Sequence, residues 1–130
     1  MIGKIYTSLT PFYDLRNHRN SFKKRPVLII GGPRNHDYTV LPISTVSRKE
    51  NLDSEYDIEL VPADYPELKL NKVSYVRVHK QTVIHEASLY KEVSDMKEKY
   101  EEKYLEIIQK LFINYICLFD YLFISSQMSA

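Results

Sequence analysis

The chain has 130 residues, 44% of them apolar, a formal net charge of +1 and a single cysteine, Cys117. That length suits one domain with a real core. A lone cysteine excludes a disulfide framework and a cysteine-ligated metal site, and points to a reducing, cytoplasmic compartment.

Charge is unevenly spread. Residues 1–49 carry nine Lys/Arg against two acids, a net +7, and residues 50–130 carry nine against fifteen, a net −6. A basic half on a near-neutral chain predicts a polyanion on one face; the plainer alternative is a solvated basic loop. The N-terminus has no signal-peptide architecture and reads as a strand over Ile2–Leu9. Pro11 ends that strand, and residues 11–24 read as a long polar loop holding Arg16, His18, Arg19, Lys23 and Lys24. Arg25 precedes Pro26, which is tolerated at the start of a strand. Val27–Ile30 is a continuous apolar run, as a buried strand requires. Gly31–Asp37, including Arg34, is a turn by composition, and Tyr38–Ile43 is the return strand of a hairpin. Ser44 and Thr45 follow at its end, so the pairing brings a guanidinium and a hydroxyl to one patch, which suits phosphodiester chemistry.

Residues 46–56 read as a loop, Tyr56–Leu60 as a short strand and 62–66 as a turn. In Val73–Val78, alternation sets Val73, Tyr75 and Arg77 against Ser74, Val76 and Val78. Thr82–Ile84 is a short strand after a bend at His79. Short strands at this spacing predict a small, bent barrel. From Ser94, read as an N-cap, Met96, Tyr100, Tyr104, Ile107, Leu111, Tyr115, Leu118 and Leu122 form a helical stripe. The run Leu111–Ile124 is nearly all apolar, yet it is shorter than a membrane span and contains Asn114 and Asp120. It suits packing on the barrel or on another protein chain, and no membrane association is expected. The expected architecture is mostly β with α in one domain: a barrel over 1–86, a C-terminal helix over 94–124 and a tail over 125–130.

Taken together, Gly3-Lys4-Ile5, Lys24-Arg25-Pro26-Val27-Leu28-Ile29-Ile30, Pro42-Ile43-Ser44-Thr45 and Val73-Ser74-Tyr75-Val76-Arg77 stand in the order of PemK/MazF-type toxins. The chain resembles that family in motif order over roughly residues 2–112. The resemblance implies an SH3-like barrel with a C-terminal helix and a homodimer. It also implies metal-independent, cofactor-free endoribonuclease activity on single-stranded RNA such as mRNA. A cognate antitoxin, taken to be a protein, would block the site. Arg25 inherits the catalytic arginine and Ser44 the catalytic hydroxyl, where threonine is usual; Thr45 stands next to it. Arg77 fits a second arginine, and His79 stands where some members have an aspartate. Lys4 replaces a common acidic residue.

The candidate catalytic set is therefore Arg25, Ser44, Thr45, Arg77 and His79. Arg16, His18, Arg19, Lys23, Lys24 and Arg34 are expected on the RNA backbone. His79, with His18 second, is the acid–base candidate because histidine titrates near neutrality. His79 and His85 are six apart, and His18 and His36 lie in separate loops, so no metal cluster is expected. Each residue has a structural alternative. Arg25 and Arg77 could be strand ion pairs, Ser44 and Thr45 could cap a turn, and His79 could be an exposed turn residue. Two further functions compete: a non-catalytic nucleic-acid-binding barrel, and an interaction module working through its apolar helix end.

Overall fold

The computed structural model describes residues 1–46 and 48–113, apart from the Phe12 side chain. The predicted helix beyond residue 113 and the tail lie outside the described residues. Seven strands form an antiparallel sheet: β1 (Lys4–Asp14), β2 (Arg19–Arg34), β3 (Asp37–Ser44), β4 (Asp57–Leu60), β5 (Ser74–Arg77), β6 (Thr82–His85) and β7 (Leu89–Asp95). The order is β4-β5-β3-β2-β1-β7, and β6 also pairs with β3. One edge of β3 therefore serves two short strands in turn: β6 along Asp37–Val40, then β5 at Ile43 and Ser44. The sheet curls into a half-barrel.

Two faces of the sheet are covered, which explains the unbroken apolar run in β2. Ile5, Leu28 and Leu41 lie abreast on β1, β2 and β3 and are fully buried in the main core. Their neighbours Val27, Ile29 and Val40 point the other way, into a smaller cluster with Tyr38, packed by Tyr6, Ile84 and Leu89. A strand buried on both sides cannot alternate apolar with polar.

The predicted loop at 11–24 is instead a hairpin. β1 and β2 stay in register from Ile5↔Leu28 out to Asp14↔Arg19. Polar composition masked these strands because the hairpin's outer part is exposed on both faces and needs no apolar side. The strand reading that stopped at Leu9 and resumed at Pro26 missed its length for the same reason. β7 was also passed over; it pairs with β1 from Lys4↔Asp95 to Ser8↔Leu89 with two register shifts, which break its period.

The helix begins later than Ser94. Asp95 is the cap, its carboxylate accepting from the Glu98 N–H at 3.1 Å. Met96–Lys99 makes the first turn (α1), Tyr100 leaves helical geometry, and residues 101–113 are helical again (α2). Tyr100 is held outside the helix by an edge-on contact with Tyr65 at 5.0 Å and by accepting the Glu67 N–H at 3.1 Å. Met96, Tyr104 and Ile107 close the main core, as the predicted stripe requires. Gly3 links this helix to the sheet. Its N–H donates to the Ile29 carbonyl at 2.7 Å, and its own carbonyl accepts from Met96 and Lys97. Its φ is +89°, and a Cβ there would collide with the Lys97 side chain, so only glycine fits.

Candidate functional site

The last paired residues of β2 and β3 are Val27 and Pro42, and beyond them the strands separate. Pro26 and Pro42 both lack an N–H, so each strand gives up a donor where the ladder ends. The separation leaves a cleft of about 290 Å³ lined by Lys24, Arg25, Pro26, Ile43, Ser44, Thr45 and Ser74. Continuing the register by two residues sets Arg25 abreast of Ser44. On its other side Ser44 pairs with Tyr75 of β5. The structure thus brings Arg25, Ser44 and Thr45 together around one opening.

Arg25 is exposed, and among the described residues no carboxylate pairs with it. Its backbone is fixed instead: the Ser8 hydroxyl, nearly buried, donates to the Arg25 carbonyl at 3.3 Å. A guanidinium left unpaired by the described carboxylates, on a backbone held from behind, can offer its fork of donors to an external anion.

Arg77 is in the opposite situation. Its Nε donates to Asp57 Oδ1 at 2.7 Å, with the arginine side chain 11% exposed and the carboxylate 2%. Nη2 also donates to the Asn51 carbonyl at 3.3 Å. Asp57 and Arg77 face each other directly across β4 and β5, so Arg77 makes the cross-strand ion pair that was its structural alternative. His79 joins the same carboxylate, with Nδ1 3.5 Å from Asp57 Oδ1, and its ring lies 6.4 Å from that of Tyr56. Neither Arg77 nor His79 lines the Arg25 cleft. They form a second cluster around Asp57, from β4, β5 and the turn after β5.

Asp57 was missed in the sequence, although a signal for it exists. Ile58 and Leu60 point into the core, which turns Asp57 and Glu59 outward towards Arg77 and Tyr75. Tyr75 donates its hydroxyl to Glu59 at 3.3 Å. Desolvation, then the Glu59 hydrogen bond and charge, hold its phenol above the ordinary value, so it stays protonated.

The basic residues divide by strand period. Arg19, Lys23 and Arg25 project from one face of β2, opposite Asp14, Thr10 and Ser8. Lys24 projects from the other face and places its ammonium 4.1 Å from the centre of the Tyr90 ring on β7. Arg16 and His18 occupy the hairpin turn, where His18 has a φ of +50°. Arg34 stands at the opposite end of β2, beside the turn to β3, so it is not gathered with the others. Among the described residues no group of three or more His, Cys, Asp or Glu could hold a metal ion. Likewise no described helix is long and apolar enough to cross a membrane.

Asp14 organises the hairpin tip. Its carboxylate accepts from the Arg16 N–H at 2.9 Å, the Asn17 N–H at 3.3 Å and the Asn17 amide at 2.8 Å. The Asn17 side chain foremost, then these backbone bonds, lower its pKa below 3.8. A depressed folded-state pKa gives stability that is complete above the unfolded value and is lost as pH falls through the folded one. Acidification below about 3.8 should therefore loosen the tip while the core stays folded. Faster amide exchange at Arg16 and Asn17, matched at neutral pH by Asp14→Ala, is the expected result.

The chain is thus a small, mostly β protein, a curled antiparallel half-barrel with a cleft lined by Lys24, Arg25, Ser44 and Thr45. Residues 4–112 match the family model described as PemK-like, MazF-like toxin of type II toxin-antitoxin system, and the chain belongs to that family. A comparison with curated protein sequences found no match.

Proposed function

We propose that the chain is the toxin of a type II toxin–antitoxin pair and acts as a metal-independent endoribonuclease on single-stranded RNA. The observation that carries this reading is Arg25, which has no carboxylate partner among the described residues, beside Ser44 and Thr45 in one cleft, within a chain of this toxin family. A scissile phosphate lying there would have the 2′-hydroxyl of the preceding ribose as its nucleophile. The 2′-oxygen forms a bond to phosphorus, the P–O5′ bond breaks, and the products are a 2′,3′-cyclic phosphate and a 5′-hydroxyl. Arg25 would neutralise the charge that grows on the non-bridging oxygens, a term that is usually the largest in such catalysis. Ser44, with Thr45 beside it, would hydrogen-bond one of those oxygens.

Among the described residues no histidine lines the cleft, so the 2′-proton would leave to solvent water at the cleft, and water would return a proton to the departing 5′-oxygen. Arg77 and His79 would then act from their own cluster at Asp57, not on the reacting phosphate. Arg19 and Lys23 would carry the strand's backbone along the hairpin face that Arg25 shares. A homodimer and a cytoplasmic antitoxin partner complete the reading.

Incubating the protein with a defined single-stranded RNA in EDTA and mapping the product ends tests it. Cyclic phosphate and 5′-hydroxyl ends are expected; cleavage that requires magnesium would contradict it. A second reading, an RNA-binding barrel without cleavage, draws on the serine at position 44 and on Arg77 being tied to Asp57. It predicts salt-dependent RNA binding with no products.

A further inference from the structure

A second opening adjoins the Arg25 cleft. It encloses about 370 Å³ and shares Pro26, Thr45 and Ser74 with the first, while Lys69, Asn71 and Lys72 stand along its other side. These three residues belong to the connection before β5. The connection is pinned at alternate positions. Leu68 is fully buried, Leu70 packs on the main core, and the buried Ser74 donates its hydroxyl to the Lys72 carbonyl at 3.0 Å. Lys69 sits in left-handed geometry, φ +58°, with its N–H on the Pro66 carbonyl at 3.2 Å.

Anchoring Leu68, Leu70 and Ser74 leaves Lys69, Asn71 and Lys72 exposed, and among the described residues no carboxylate pairs with either lysine. Two ammonium groups and an amide are thus held on a rigid backbone, next to the opening that contains Arg25. Acidic residues are common in this half of the chain. Glu67, the nearest in sequence, is turned to Lys99 at 3.7 Å instead.

We infer that Lys69, Asn71 and Lys72 form a second RNA subsite, holding the nucleotide next to the one bound at Arg25. The strand would cross the shared wall of Pro26 and Thr45. Lys69 and Lys72 would meet its phosphates, and the Asn71 amide would offer a donor and an acceptor to the nucleotide. This inference rests on the proposed RNA substrate. It adds a direction to the bound strand, from the hairpin face of Arg19 and Lys23, through the Arg25 cleft, to the 69–72 connection.

Binding of an uncleavable 2′-O-methyl RNA 12-mer at several salt concentrations separates the two readings. Lys69→Gln with Lys72→Gln should weaken binding about tenfold and flatten the log–log salt slope by about 1.4, the value for two lost contacts to a single strand. Lys49→Gln, an exposed lysine outside both openings, should change neither. Unaltered circular dichroism and melting temperature confirm that the double variant is folded. Binding that is weakened by Arg25→Ala but untouched by the double variant would overturn the subsite alone. No RNA binding by the wild-type protein would overturn the proposed substrate as well.

Discussion

Arg25→Ala should lower RNA cleavage by about 10²- to 10³-fold while leaving the fold intact. The magnitude is that of removing one preorganised donor from a developing oxyanion. The fold should survive because Arg25 is exposed and has no ion-pair partner among the described residues. What secures this stretch of β2 is the Ser8 bond to the Arg25 carbonyl, which alanine keeps. Arg25→Lys should recover little, since an ammonium is a point charge and cannot span two phosphate oxygens as the planar fork does. Single-turnover rates beside urea melts make the check. A loss of stability that parallels the loss of rate would show a structural arginine.

Arg77→Ala should do the reverse and cost about 3–5 kcal/mol of stability, the range for breaking a buried ion pair on one side. Asp57 would keep its bond from the Asp53 N–H at 2.8 Å and its contact with His79, but it would lose the only guanidinium that pairs with it among the described residues. Its carboxylate is 2% exposed, so water cannot take the place of the arginine without opening β4 from β5. Replacing both residues together, as in Asp57→Leu with Arg77→Leu, should restore most of the loss, because an apolar pair leaves no buried charge. Urea midpoints of the three variants decide the matter. Unchanged stability in Arg77→Ala, with cleavage abolished, would return this arginine to the substrate.

The contrast between the two arginines was not legible in the sequence. Both stand in strands beside apolar residues, and both fit the family's motifs. What separates them is the partner strand: β4 sets Asp57 opposite Arg77, whereas the ladder opposite Arg25 ends at two prolines. Strand pairing between distant segments decides this, and local pattern does not encode it. The inner strands were legible because burial leaves a pattern, continuous in Val27–Ile30 and alternating in Ser74–Arg77. The outer hairpin was not, since strands exposed on both faces carry polar residues and read as a loop. The Arg25–Ser44–Thr45 grouping was legible because the two motifs flank one hairpin, although two register shifts between Arg34 and Ile29, which no local pattern announces, set its final pairing. Asn35 and His36 there have φ of +53° and +66°, the geometry that matches the twist of paired strands. Arg34, expected on the same RNA backbone as Arg25, stands at the far end of the long β2, a separation set by the strand's length.

One comparison reaches the central claim most directly. Wild-type protein in EDTA is given a single-stranded RNA and its copy with a single 2′-deoxy nucleotide on the 5′ side of the mapped cleavage point. If the 2′-hydroxyl attacks a phosphate held by Arg25, the first is cut to a cyclic phosphate and the second stays whole at that point. Equal cleavage of both strands would mean that another nucleophile is at work and would contradict the account.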